Sequence, residues 1–363
     1  MDGMGAKEAL RLDVGFWRGR RVFVTGHTGF LGSWLSLRLA HAGAQVLGYA
    51  LKPPTHPAMF DAIGLGCRAG SIIADVRDYE RLHAAIAEFA PEIAFHLAAQ
   101  PLVRLAHSAP LETFSTNVLG TANLVQALRG LDGLRAVVIV TTDKVYENRD
   151  AAKSFTEADR LGGFEPYGGS KACAEIVVDS FRHAYFTGER APGIATVRAG
   201  NIFGGGDWAA DRLVPDAVRA FGAKKPLLVR NPGAIRPWQH VLEPMHAMLA
   251  LAERLADAPA KWSGAWNFGP ERAKPVNAVV DELTRLWGNG ACWQRANGQA
   301  AAPREAPVLM LDCGKAAKLM GVRPRWTLER ALAATVEWYR AHLAGADMRA
   351  LTLGQITAFE GAN

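Results

Sequence analysis

The sequence predicts an α/β fold: a doubly wound parallel sheet followed by a smaller C-terminal α/β substrate-binding domain. Three observations predict it. Strand-like and helix-like segments alternate from Arg21 to about residue 200, the rhythm of βα units joined by right-handed crossovers. The first βα turn is rich in glycine, Gly26-His27-Thr28-Gly29-Phe30-Leu31-Gly32. After Gly200 that rhythm gives way to loops, tryptophans and separate helices.

In order, Arg21–Thr25 reads as a strand, Phe30–Ala42 as a helix and Gln45–Ala50 as a strand. Ser71–Ala74 is strand, Tyr79–Phe89 helix and Ile93–Leu97 strand. A single long helix is expected from about Pro110 to Arg129, then the apolar, β-branched strand Ala136–Val140. Such a run suits a parallel strand buried on both faces. Tyr167–Ala184 reads as helix and Ile194–Arg198 as strand. Beyond them, Gly204-Gly205-Gly206-Asp207-Trp208 is loop and Arg230-Asn231-Pro232-Gly233 a turn. Helices follow at about Glu243–Ala256 and Val276–Leu286, the last at about Leu328–Leu343. The expected organisation is an N-terminal extension (1–15), a dinucleotide-binding domain carrying the catalytic residues (16–200), and a smaller domain (201–363) partly interleaved with it.

Composition narrows the class. With 363 residues and 49% apolar content, the chain has room for a large core or two domains. A net charge of +6 suits anionic ligands such as nucleotides. No Lys/Arg run marks a nucleic-acid footprint, and no apolar run approaches the ~18 residues of a membrane span. Cys67, Cys173, Cys292 and Cys313 are scattered without a C-x-x-C pair. That argues against a metal site or disulfide framework and suits a reducing, cytoplasmic setting.

The glycine loop follows a strand and opens a helix, so backbone can approach a pyrophosphate seated on free helix N–H groups. A dinucleotide cofactor is therefore expected on Gly26, His27, Thr28, Gly29, Phe30, Leu31 and Gly32. An acid ~20 positions on would hold the ribose 2′-hydroxyl of NAD. Here the strand ends Tyr49-Ala50-Leu51-Lys52, so Lys52 either faces the 2′-phosphate of NADP or is simply solvated.

The central strand stops in Thr142-Asp143-Lys144, at the strand end where open α/β sheets bind ligands. Downstream, Tyr167 and Lys171 stand four apart, on one face if the segment is helical. A phenol with pKa near 10 is a poor base at neutral pH. A neighbouring ammonium and a cationic nicotinamide ring would lower that value, letting Tyr167 take a substrate hydroxyl proton. Thr142 would hold the same hydroxyl, and Lys171 would also reach the cofactor ribose. Oxidising a sugar needs no more than this. Asp143 and Lys144 beside it imply a second proton transfer: once C-4 is a ketone, loss of the C-5 hydrogen can expel the C-6 hydroxyl as water, with one group as base and another as acid.

These residues resemble the nucleotide-sugar 4,6-dehydratases of the extended short-chain dehydrogenase/reductase family, whose loop is G-x-x-G-x-x-G. Most of that group carry Thr-Asp-Glu; the branch acting on CDP-glucose has Asp-Lys, as at Asp143-Lys144. The similarity continues through GYALKPPT at Gly48–Thr55, FHLAAQPLVR at Phe95–Arg104, NIFGGGDWAADRLVPD at Asn201–Asp216 and IRPWQHVLEP at Ile235–Pro244. It implies NAD as cofactor, with Asp75-Val76 reading adenine and Ala98-Ala99-Gln100 beneath the dinucleotide. It implies that Asn201, Arg212 and Arg236 hold a substrate diphosphate, which suits the bidentate guanidinium. His240 is expected to be structural or a ribose contact. Asp143 is assigned as general acid and Lys144 as C-5 base, although Asp143 opposes the pKa depression a lysine base requires. The resemblance also implies a homodimer paired through the helices near Pro110–Arg129 and Tyr167–Ala184. Two departures stand out: Leu31 where relatives often have lysine, and Gly168-Gly169 between Tyr167 and Lys171. A 4-epimerase or reductase of another nucleotide sugar, and a non-catalytic dinucleotide-binding protein, are the alternatives.

Overall fold

The structure is a computed structural model that describes residues 12–67, 69–149, 153–296 and 306–362. Most of the expected N-terminal extension, residues 1–11, lies outside them. Its end does not trail free. Asp13 caps a short helix at Val14–Trp17, and the Trp17 indole donates to Glu253 Oε1 at 2.7 Å.

Seven parallel strands form the central sheet: β1 (Arg21–Thr25), β2 (Gln45–Ala50), β3 (Gly70–Ile73), β4 (Ile93–His96), β5 (Ala136–Val140), β6 (Gly193–Ala199) and β7 (Gly264–Phe268). Their order is β7-β6-β5-β4-β1-β2-β3. The strand order reverses at β1, so a crevice opens above the carboxyl ends of β1 and β4. Alternate side chains of each strand feed two cores. Val22, Val24, Phe95, Val138 and Val197 pack against α1 (Phe30–His41) and a helix at Leu242–Asp257. Phe23, Ala94, Val137 and Ile139 pack against Tyr79–Phe89 and Gly120–Leu128.

Two features differ from the sequence expectation. The helix expected over Pro110–Arg129 is interrupted: Pro110–Phe114 and Gly120–Leu128 are α-helical, and Ser115–Leu119 between them is a π turn. Its inserted residue turns Asn117 inward, where it holds both backbone groups of Gln100. The helix at Leu328–Leu343 is not the last, since Met348–Glu360 follows and Glu360 pairs with Arg38 of α1 at 2.5 Å. The segment after residue 200, expected to be partly interleaved with the first domain, returns one strand to the sheet: β7 pairs with β6 from Gly264↔Ala195 to Phe268↔Ala199. Among the described residues no helix is long and apolar enough to cross a membrane, and no cluster of His, Cys, Asp and Glu could hold a metal ion.

Candidate active site

A single cavity of about 1030 Å³ runs from the glycine loop across the ends of β1, β4 and β5 to the loops after β6. Gly26 and Gly32 let the loop close on itself. A Cβ on Gly26, whose φ is +75°, would lie 2.6 Å from the Ala98 nitrogen; one on Gly32 would lie 2.1 Å from the Gly26 oxygen. Gly29 caps α1 without a side-chain hydrogen bond, which leaves the first-turn N–H groups facing the cavity for an anion. Thr28, Gly29, Phe30, Leu31, Asp75, Val76, Ala98 and Ala99 all line this end. A dinucleotide fits such a cradle.

Two of the expected cofactor residues do not face it. The His27 ring lies beneath the loop, 2.7 Å from Ser71 Oγ, where a Cβ on Gly48 would overlap it. Burial lowers its pKa to about 4. Gln100 is turned away, its amide donating to Thr113 Oγ1 at 2.8 Å and its backbone held by Asn117. Asp75 does line the cavity, but Arg77 clamps its carboxylate and holds it below the usual range.

The catalytic stretch leaves β5 as a 3₁₀ turn, Asp143–Val145, capped by the Thr142 hydroxyl. Opposite it, α-helix Pro166–Ala184 begins with Glu165, whose carboxylate accepts the N–H groups of Tyr167 and Gly168 at 2.8 and 2.7 Å. Proline at the first helical position adds to that start. Thr142, Asp143, Lys144, Tyr167 and Lys171 thereby share one wall of the cavity. Lys171 Nζ donates to the Val140 carbonyl at 2.9 Å, which ties the helix to the strand end.

The electrostatics of this wall revise one expectation. Burial pushes the Tyr167 phenol up to about 12, outweighing the Thr142 hydrogen bond and the Arg212 charge that act the other way. Burial also lowers Lys171 to about 8, against the field of Glu175. Lys171 alone therefore does not bring the phenol down, because desolvation of both groups dominates. Asp143 is likewise raised by burial, although Lys144, Thr142 and Arg236 oppose it. One carboxyl oxygen meets Thr142 Oγ1 at 3.1 Å; the other is buried without a partner. Burial and the unpartnered oxygen make this carboxyl a candidate proton donor.

Of the expected diphosphate residues, Asn201, Arg212 and Arg236 line the far end of the cavity. Asp207 pins Arg212 at 3.0 Å, and the Tyr339 hydroxyl donates to the Asp207 carbonyl, so the helix Leu328–Leu343 braces this loop. Arg236 is buried and spends one nitrogen on the Ile235 carbonyl at 2.8 Å. His240 is a correction. It is 1% exposed, boxed by Trp34, Phe203 and Trp326, with its pKa lowered to about 3 by burial. It does not line the cavity, so it is no ribose contact. Sequence reasoning missed Asp207, Asn117 and the pair Arg104–Asp211 (3.0 Å) at the cavity mouth. Of these, only Asp207 carried a signal, an acid five residues before Arg212 in a glycine-rich loop.

Comparison with known proteins agrees with this geometry. Residues 22–269 match the NAD dependent epimerase/dehydratase family. The chain belongs to that family. It is 47% identical to CDP-glucose 4,6-dehydratase of Salmonella typhimurium, over 97% of this chain and 99% of the relative. It is 25% identical to dTDP-glucose 4,6-dehydratase of Xanthomonas campestris, over 87% and 92%. Among solved structures, MoeE5 in complex with UDP-glucose and NAD aligns at a TM-score of 0.75 and 26% identity, covering 89% of this chain and 99% of that one. UDP-glucose 4-epimerase of Thermotoga maritima shares the fold, at a TM-score of 0.77 and 22% identity over 89% and 99%. For this NAD dependent family member, NAD replaces the open choice between NAD and NADP.

Proposed function

We propose that the chain is a nucleotide-sugar 4,6-dehydratase that converts CDP-D-glucose to CDP-4-keto-6-deoxy-D-glucose and water. The observation that carries this reading is the buried Asp143 carboxyl, raised in pKa and with one oxygen unpartnered, on the same cavity wall as Tyr167. An epimerase or reductase has no use for it. The 47% identity to a CDP-glucose enzyme along nearly the whole chain supports the nucleotide and the sugar.

The glycine cradle, Asp75, Val76, Ala98, Ala99 and Lys171 would hold NAD, which supplies a hydride sink for C-4 and a hydride source for C-6. Tyr167 and Thr142 hold the C-4 hydroxyl, and Tyr167 takes its proton. The cationic nicotinamide ring of bound NAD would offset the burial that holds the phenol protonated in the free chain. With C-4 a ketone, Lys144 removes the C-5 proton. Asp143 delivers its proton to the departing C-6 oxygen, so water leaves and charge balances. Arg212, Arg236 and Asn201 hold the diphosphate and fix the hexose over this wall.

The second copy implied by the resemblance finds support in apolar side chains left on the helices over Pro110–Leu128 and Pro166–Ala184. Leu111 is 85% exposed and Leu119 and Ile176 are each 59% exposed, apolar surface that a second copy would cover. We propose a homodimer through this face. Leu111→Arg with Ile176→Arg is expected to halve the mass measured by light scattering.

Incubation with CDP-, dTDP-, GDP- and UDP-glucose tests the activity. A 4-keto-6-deoxy product, detected by its absorbance in alkali, is expected from CDP-glucose. A C-4 epimer without loss of water would overturn the reading.

A further inference from the structure

Behind the catalytic wall lies a buried ionic network that the proposed chemistry does not use. Glu175 stands one helical turn after Lys171, and both are buried. Each Glu175 oxygen accepts two hydrogen bonds. Oε1 takes Thr141 Oγ1 at 2.6 Å and Arg198 Nε at 3.0 Å. Oε2 takes Thr196 Oγ1 at 2.7 Å and an Arg198 terminal nitrogen at 2.9 Å. Arg198 reaches on to the Tyr146 hydroxyl at 3.0 Å, which donates to Asn267 Oδ1 at 2.6 Å on β7. The side chains joined here come from the helix Pro166–Ala184, from β6 and β7, and from both flanks of the catalytic turn.

We infer that the Glu175–Arg198 pair is the positioning device of the site, locking the helix that carries Tyr167 and Lys171 in register with the strand end that carries Thr142 and Asp143. Three facts carry this. Thr141 is bound by Glu175, and its chain neighbours are Thr142, which caps the catalytic turn, and Val140, whose carbonyl takes the Lys171 ammonium. Two side chains one turn apart on the helix thus grip Val140, the last residue of β5, and Thr141, which follows it. A single such tie would leave the helix free to slide or roll; two fix it. Removing the ion pair's charge therefore has a chemical consequence besides loss of order. His96, facing Lys171 from β4, is held neutral by burial, its pKa lowered to about 3. Burial also holds the Tyr167 phenol protonated and pushes the Asp143 carboxyl up. Arg198, from β6, is paired to Glu175 itself. Among the described residues Glu175 is thus the charge that keeps the desolvated Lys171 protonated.

The inference rests on the dehydratase reading only for its kinetic arm. The test is Glu175→Gln, read in two ways: side-chain NMR titration of the Lys171 amine in the protein without substrate, and the pH profile of kcat with CDP-glucose. Glu175→Gln is expected to lower the Lys171 titration by about one pH unit, a tenfold change in proton affinity. The alkaline limb of kcat should move down by the same amount. An unmoved Lys171 titration overturns the inference whatever the substrate proves to be; a wild-type chain inactive on CDP-glucose overturns the functional reading alone. Thr141→Val covers the case in which Glu175→Gln does not fold. It keeps both charges and cuts one grip, so kcat should fall about tenfold with an unchanged Lys171 titration, and Thr141→Ser should restore it. Wild-type kcat in Thr141→Val overturns the register role.

Discussion

A Cβ on Gly168 would lie 2.7 Å from the carbonyl oxygen of Lys144. The first turn of the helix that carries Tyr167 therefore rests directly on the turn that carries Asp143 and Lys144. Glycine at 168 is what permits the approach, so the departure from relatives noted in the sequence has a steric role. Gly168→Ala must push the two apart, because backbone on both sides has no room to give. Displacement of about 1 Å costs on the order of 10²-fold in rate. Steady-state kinetics on CDP-glucose should show that loss in kcat, with native circular dichroism.

Tyr167→Phe removes the proton acceptor while leaving the ring in its buried place. A general base of this kind contributes about 10²–10⁴-fold. The variant should bind CDP-glucose yet fail to raise absorbance of bound reduced nicotinamide in stopped flow.

Glu243 is mostly buried, and its carboxylate accepts the backbone N–H groups of Arg325 and Trp326, both at 2.9 Å. Burial raises its pKa to about 7. A carboxyl raised in the folded state stabilises the fold fully below its unfolded pKa near 4.5. That contribution is lost as pH rises through about 7. Glu243→Gln keeps an acceptor for both N–H groups and cannot ionise. Its thermal midpoint should fall less than that of the parent between pH 5 and 8.

His240 accepts the Leu242 N–H at 3.3 Å inside its aromatic box. His240→Phe leaves that donor unpaired, at a cost of about 1–3 kcal/mol. Denaturant unfolding should show the loss, while KM for CDP-glucose stays within about twofold, as the side chain does not reach the cavity.

The strands and the longer helices up to residue 200 were legible because short apolar runs alternate with helix-length segments at the spacing of βα units, whereas the short helices Met59–Ala62 and Val103–Ser108 carry no such signal. The π turn at Ser115–Leu119 was not, since one inserted residue leaves the apolar spacing nearly intact. The helix Met348–Glu360 was also missed. Its buried positions include Thr352 and Gln355, and Gly354, a poor helix former, lies within it, so the stripe is weak. In the site, Thr142, Asp143, Lys144, Tyr167 and Lys171 could be named because proton-handling groups at a strand end and a helix start have few other reasons to coincide. The fate of His27, Gln100 and His240 depends on which way each side chain turns between packed elements. That is decided by partners such as Ser71, Asn117 and Trp326, each far from them in the chain or unremarkable in type. The Tyr167 phenol shows the same limit: proximity to a lysine is readable, but desolvation is not.

The central claim is that Asp143 and Lys144 carry the elimination of water, separately from the oxidation at C-4. Lys144→Ala tests it most directly, mixed with CDP-glucose in deuterium oxide and followed both by nicotinamide absorbance and by deuterium at C-5. The account predicts that the bound cofactor is still reduced while C-5 takes up no solvent deuterium. Exchange at C-5 at the parent rate would contradict it.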